Sequence, residues 1–391
     1  MSKWNGFKDL KAVNHDFSPS ERVRSIAADV SRLHAKAVDQ AARFPSESID
    51  ALRSGGLLAW RDLARPFPLR EVALCCYELA RHCASTALVY AMHQAQLAVL
   101  RAHGTGPWHR HLLEDIRSRQ LLIGSSTSES GPPGALVPAT AGLTHFQLGK
   151  QAPTISYGRQ CDVLLATTRG CEAARHPQQV MVALLSEQVE LQQQDAFVTA
   201  GMRGTCSFGY LLQARASAEQ ILPDDLQAIS ATTMLPVSHV LWASVWLGIA
   251  ASALGRAREY VRRRRTGEDA GARRQHLGQA EVHYAQACAH VEWGLNLMEG
   301  NPRPATLGGL SPDMNLLKVS VSQCAIHVVT EALQTCGIAG YREDGPFSLG
   351  QHLRDVFSSS LMIHNDSLLD SIARMNSVAP VKAYPVRAEA R

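Results

Sequence analysis

From Ser18 to about Arg117, apolar residues return every three or four positions, the repeat that buries one face of an α-helix. The stretch "SPSERVRSIAADVSRLHAKAVDQAARFP" carries its own start signal: Ser18 to cap, Pro19 for the first turn and Glu21 as an early carboxylate. "REVALCCYELARHCASTALVYAMHQAQLAVLRAHG" predicts two further helices with a break near His82–Ser85. At Leu121 the period changes. "LLIGSSTSE", "GLTHFQLGKQAPTISYG", "CDVLLATTR" and "QVMVALLSEQVELQQ" are short runs rich in Val, Thr and Leu, punctuated by Gly and Pro, and they predict strands and turns as far as "GTCSFGYLLQARASAEQILP". From about Leu226 to about Met375 the helical period returns. Four long amphipathic stretches predict an antiparallel bundle, with "SLGQHLRDVFSSSLMIHNDSLLDSIARM" read as its last helix.

The expected architecture is therefore α+β and multidomain. It has an N-terminal helical domain (1–118), a middle β-barrel or sandwich (119–225) and a C-terminal four-helix bundle with a loose tail (226–391). The 391 residues include 46% hydrophobic and 19% charged, enough to bury a sizeable core. A net charge of +4, with basic runs such as Arg262–Arg265 lacking interleaved aromatics, argues against a nucleic-acid partner. Nine scattered cysteines with no C-x-x-C fit a reducing compartment and no zinc module. The N-terminus has no apolar core like that of a signal peptide, and "SHVLWASVWLGIAASALG" is broken by polar residues, so the expectation is a cytoplasmic protein with buried helices and no membrane span. His283 and His290 stand seven apart on one predicted helix without a supporting ligand set, so no metal is expected.

Local text gives the domain order a more specific meaning. "STSESGPPGA" places Ser128-Glu129 and Gly131 in a strand-end motif, with Ser125 three positions earlier; "PTISYG" holds Ile155-Ser156; "GMRGTCSFGY" is a glycine-rich turn; and "ALQTCGIAGYREDGPFSLGQHLRD" joins Gln334, Gly337 and Gly340 to an Arg354-Asp355 pair. A flavin is flat and apolar in the middle, with polar edges and a charged diphosphate. Short hydroxyl side chains let backbone approach the ring, and glycine turns offer N–H groups to phosphate. Over residues 18 to 375 the chain resembles the acyl-CoA dehydrogenase superfamily of flavoproteins. The resemblance implies FAD held by Ser125, Ser128, Ile155, Ser156 and Asn365. It also implies that Gln334, Gly337 and Gly340 meet the adenine and diphosphate end of flavin in a neighbouring subunit, in a homodimer or homotetramer. One of Arg262–Arg265, or Arg273, would meet a partner's diphosphate.

Two departures bear on activity. Most of the family carries a glutamate base eight residues after the aspartate of the Arg-Asp pair. Here that position is Ile363, followed by His364, Asn365 and Asp366. The other usual location, early in the first bundle helix, holds Ser238 and His239. A neutral imidazole accepts a proton near pH 7, so His364 is the nearest replacement, with Asp366 beside the same helix face as the second. The text from Gly56 to Val72 is shorter than usual, which alters the pocket mouth. The first expectation is oxidation of an acyl thioester, carried on coenzyme A or an acyl carrier protein, by α-proton removal and hydride transfer to flavin. An alternative is a two-component monooxygenase using reduced FMN or FAD from a separate flavin reductase, for which His93, Ser156 and His364 form the candidate trio. A third is a non-catalytic binding relative.

Overall fold

A computed structural model describes residues 18–59, 66–128, 134–138, 144–170, 179–194, 198–264, 266, 269–300 and 311–377. Helix α1 (Pro19–Ile26) begins with a capping box: Ser18 and Glu21 satisfy each other's backbone N–H groups. It runs through a π turn into α2 (Arg32–Ala41), which stops at Ala42 in the left-handed region. α3 (Ser46–Ser54), α4 (Leu69–Ala80), α5 (Ala84–His103) and α6 (Pro107–Arg119) follow. The break expected near His82–Ser85 is the gap between α4 and α5. Among the described residues, seven strands come next: β1 (Ile123–Ser126), β2 (Ala135–Pro138), β3 (His145–Ile155), β4 (Val163–Arg169), β5 (Gln179–Leu185), β6 (Val189–Gln193) and β7 (Phe208–Ser217). They form one sheet in the order β1-β4-β2-β3-β7-β6, with β5 paired to β4. β1 runs parallel to β4, whereas β3 alternates exposed and buried residues against antiparallel β7.

The C-terminal region opens with short α7 (Leu226–Ile229) and a π turn, then α8 (Leu235–Arg263), α9 (Ala270–Gly300) and α10 (Ser311–Cys336). α8 and α10 are long and apolar enough by composition to cross a bilayer; α8 buries most of that stretch inside the fold. It packs on α4 and α5 as well as on α9 and α10, so one core runs from the N-terminal helices into the bundle. Short α11 (Ile338–Tyr341) follows, and the stretch from Ser348 read as one last helix is divided into α12 (Gly350–Val356), α13 (Ser358–Leu361) and α14 (Asn365–Asn376). The break between α13 and α14 falls at Ile363, whose φ of 50° takes a β-branched residue out of the helical region.

Candidate active site

The residues expected along the polar edge of a flavin lie on β1, just beyond it, and at the end of β3. Ser125 lies half-buried in β1 opposite Leu165 of β4, and Ser128 is exposed two residues beyond the strand. Ile155 is buried at the end of β3, and Ser156 follows it, half-buried. The Ser156 hydroxyl lies 2.8 Å from Ser207 Oγ, which lies 2.8 Å from Thr205 Oγ1, and Thr205 donates to the Met202 carbonyl at 2.9 Å. Tyr157, at φ 40°, donates from its phenol to the Ile123 carbonyl at 3.0 Å, tying this turn to β1. The hydroxyl of Ser126 is buried without a partner. Short hydroxyls and an unpaired buried oxygen suit the rim of a flavin, so the residues fit that group. Glu129, Gly131 and Pro133 of the strand-end motif lie outside the described residues.

The glycine turn is held by the Arg-Asp pair. Asp355 is buried and accepts from the Met202 N–H at 2.6 Å; burial pushes its carboxyl up to about 7. Arg354 bonds to Asp39 and donates to the Ala200 carbonyl at 3.0 Å. A Cβ on Gly201 would stand 2.1 Å from the Arg354 carbonyl oxygen, so only glycine lets the turn lie on α12.

His93 is fully buried in α5. Its Nε2 donates to the Leu58 carbonyl at 2.7 Å, and its Nδ1 accepts from the Ile123 N–H at 3.0 Å. Both nitrogens are committed to backbone, and burial pushes the imidazole down to about 4. His93 therefore joins α5 to β1 as a neutral bridge and has no nitrogen left for a reacting group. His364 and Asp366 are exposed, at the cap and first turn of α14. Among the described residues, the His364 ring has no hydrogen-bond partner. Because Ile363 leaves the helix, Asp366 does not share a helix face with it. Gln334 and Gly337 are exposed at the end of α10, Gly337 at φ 55°, whereas Gly340 is buried. The Arg262–Arg264 end of α8 is exposed and engages Glu259 and the rings of Tyr260 and Phe347; Arg265 lies outside the described residues.

Sequence reasoning missed Lys318. On α10, Met314, Lys318, Val321 and Ala325 share one buried line, so a lysine stands where the helical period calls for an apolar residue. Its ammonium donates to the Ile363 carbonyl and to Asn365 Oδ1, both at 2.7 Å, and lies 5.6 Å over the Trp246 ring. Asn365 in turn donates to Ser322 Oγ at 3.1 Å, and Ser322 donates to Ser359 Oγ at 3.0 Å. On the α8 side, His239 donates from Nδ1 to the Met314 carbonyl at 3.1 Å, leaving Nε2 buried and unpaired. Burial, with Lys318 adding repulsion, pushes His239 down to about 4. The two places where a carboxylate base was sought, Ile363 and His239, thus flank a lysine. The signal was present in "LLKVSVSQ": one cation inside an otherwise apolar run.

Residues 229–362 match the family model of the acyl-CoA dehydrogenase C-terminal domain. No curated protein matches the sequence. Among solved structures, the chain is similar to FMN-bound TdsC of Paenibacillus sp. A11-2, at 17% identity over 93% of this chain and 99% of that one, with a TM-score of 0.80. It is similar to methanesulfinate monooxygenase MsuC of Pseudomonas fluorescens, at 18% identity over 94% and 99%, TM-score 0.76. It is also similar to a nitrososynthase of Micromonospora carbonacea var. africana, at 18% identity over 92% and 97%, TM-score 0.77. The architecture is the acyl-CoA dehydrogenase-like fold.

Proposed function

We propose that the protein is a flavin-dependent oxidoreductase that works as a monooxygenase on reduced flavin supplied by a separate reductase. One observation carries this reading: neither position that would hold the proton-abstracting carboxylate of a dehydrogenase has one, and a buried ammonium stands between them. Removal of an α-proton needs a base within hydrogen-bond reach. Lys318 in its charged form donates, and His239 is sealed in the core at 0% exposure. The fold supports a flavin, and the similar structures are named as a monooxygenase, a nitrososynthase and an FMN-bound protein.

Bound flavin would supply the redox chemistry. The chain's own residues would do the rest. Ser125, Ser128 and Ser156 would hydrogen-bond its rim, and the Ser156–Ser207–Thr205 hydroxyl chain would fix the direction in which Ser156 donates. The exposed Gln334–Gly337 end of α10, beside exposed Ile338 and Tyr341, would meet the flavin of a second copy of this chain, FAD being the form that reaches that far. His364 would stand exposed at the turn before α14.

The test uses the purified protein. Oxidised and chemically reduced FMN and FAD are titrated, with binding read from flavin fluorescence and absorbance, and octanoyl-CoA is then added without oxygen. The expected result is tighter binding of reduced than of oxidised flavin and no bleaching by octanoyl-CoA. Anaerobic bleaching would return the protein to acyl thioester oxidation, and failure to bind any flavin would leave the non-catalytic reading.

A further inference from the structure

A cavity of about 650 Å³ opens where α6 meets the start of β3 and the end of β7. That volume falls within the range of about 300–1,000 Å³ typical of small-molecule sites. β3 has 11 residues and Ile155 ends it, so at about 3.3 Å per residue the cavity lies roughly 30 Å from the Ile155–Ser156 turn. The strand pleat builds its wall. Phe146 points to the core, while His145 and Gln147 on either side of it point out. Arg215 of β7 is exposed directly across from Gln147, so a neutral amide faces the guanidinium where an ion pair would need a carboxylate. Glu219, in the turn after β7, is exposed and lines the same cavity. Among the described residues, neither the Arg215 nor the Glu219 side chain has an ion-pair or hydrogen-bond partner. Trp108 of α6 supplies an aromatic wall. Its indole meets the ring of buried His109 edge-on, with centroids 5.4 Å apart at 88°, which holds it in place. Gln220, also in the lining, is only 2% exposed and fixed by its amide. It donates to the Ala183 carbonyl at 2.7 Å and to Gln188 Oε1 at 2.8 Å, and accepts from the Ser217 N–H at 3.0 Å. Gln188 donates back at 3.0 Å, which leaves it one amide hydrogen for a ligand.

We propose that this cavity binds a small aromatic zwitterion, of the class of an aromatic α-amino acid or a dipeptide containing one. A single unpartnered surface charge is common; one of each sign lining the same cavity, beside a held indole, matches a ligand that carries both. The Arg215 guanidinium takes the carboxylate through two parallel N–H bonds. Glu219 takes the ammonium, and the ligand's ring packs against Trp108. A lone inorganic anion would meet the like charge of Glu219 and leave the indole unused, and an aromatic amine would leave Arg215 unpaired. The site shares no residue with those assigned to the flavin, so it stands or falls apart from the monooxygenase reading.

Calorimetric titration of the purified protein, with and without FMN, tests this. The zwitterions are L-phenylalanine and L-alanyl-L-phenylalanine, which differ in the spacing of their charges. The controls are 3-phenylpropionate, which lacks the ammonium, and phenethylamine, which lacks the carboxylate. At least one zwitterion should bind at least about tenfold more tightly than either control, since each charge-assisted contact is lost with its charge. Arg215→Gln should reduce its affinity to that of phenethylamine, and Glu219→Gln to that of 3-phenylpropionate. Both side chains are exposed, so both variants should keep the native circular dichroism. The proposal is overturned if neither zwitterion binds, if a control binds as tightly, or if either variant keeps the wild-type affinity. Displacement of the zwitterion by FMN would also overturn it, by putting the ligand in the flavin site. Binding of a zwitterion by protein that takes no flavin would overturn the monooxygenase reading and leave this one standing.

Discussion

His93 shows how a residue can carry a plausible catalytic type and do something else. A carbonyl can only accept, so the Leu58 bond fixes the proton on Nε2, and the Ile123 N–H then requires a lone pair on Nδ1. An imidazolium could not satisfy both, which is why its proton affinity falls. His93→Ala should therefore destabilise the protein by about 2–4 kcal/mol, since it strands a buried N–H and removes one of the Leu58 carbonyl's two donors, the other being Gln94. Urea unfolding measures this. Unchanged stability with lost flavin binding would make His93 a site residue instead. Lys318 is the opposite case. A lysine on an apolar helix line was readable in "LLKVSVSQ", but its hydrogen-bond partners were not. They come from a turn more than 40 residues away whose backbone leaves the helix.

At the scale of elements, the helical and strand periods gave the order of blocks, the α1 cap and the α4–α5 break, because those features depend on local propensity and burial. The division into α12, α13 and α14 was not legible, because "SSSLMIHNDSLL" keeps the apolar spacing of a helix across the break. What breaks it is tertiary: Lys318 and Asn365 reward a left-handed Ile363. A residue of that shape costs roughly 1–2 kcal/mol in this region. Ile363→Asn, which accepts the conformation more readily, should raise the unfolding free energy by about 1 kcal/mol, read as a higher urea midpoint. A drop would mean that the half-exposed isoleucine side chain contributes more by packing than it costs in backbone strain. Gly201 makes the complementary point. Gly201→Ala should lower stability by about 3 kcal/mol or more and lower the melting temperature, because its methyl would meet the α12 backbone, which cannot turn aside as a side chain could. A native melting temperature in that variant would show that the glycine turn can lift off α12 without cost. The same logic limits what the sequence could say of the site. Ser125, Ser128 and Ser156 were identifiable as hydroxyls next to turns, but the Ser207 and Thr205 hydroxyls that orient Ser156 follow from how that turn folds back on β3.

For the molecule as a whole, buried titratable groups set how stability responds to acid. Burial holds His93 and His239 at about 4 and His352 at about 3, all below the usual histidine value, so each is neutral in the folded state while its unfolded counterpart takes up a proton below about pH 6.5. These three favour unfolding progressively as the pH falls from about 6.5 toward 4. Asp355 works against them. Its carboxyl is raised to about 7, so below that pH the folded state holds a proton that the unfolded state has not yet bound. Near pH 5, among these four groups, three protons favour the unfolded chain and one favours the fold, leaving the unfolded state about two protons richer; His82 and His109, also lowered by burial, act in the same direction, so stability must rise with pH there. Near pH 7 the histidines and Asp355 nearly cancel and the dependence should flatten. Urea unfolding at intervals between pH 5 and 7.5 measures the slope directly. Asp355→Asn should steepen it between pH 5 and 6.5 by removing the opposing proton, and His352→Asn should make it shallower by about one proton. Stability that is flat or rises on acidification from pH 6.5 to 5 would mean that these histidines open to water before the fold is lost, and with them the α5–β1 bridge and the α8–α10 contact that frame the site.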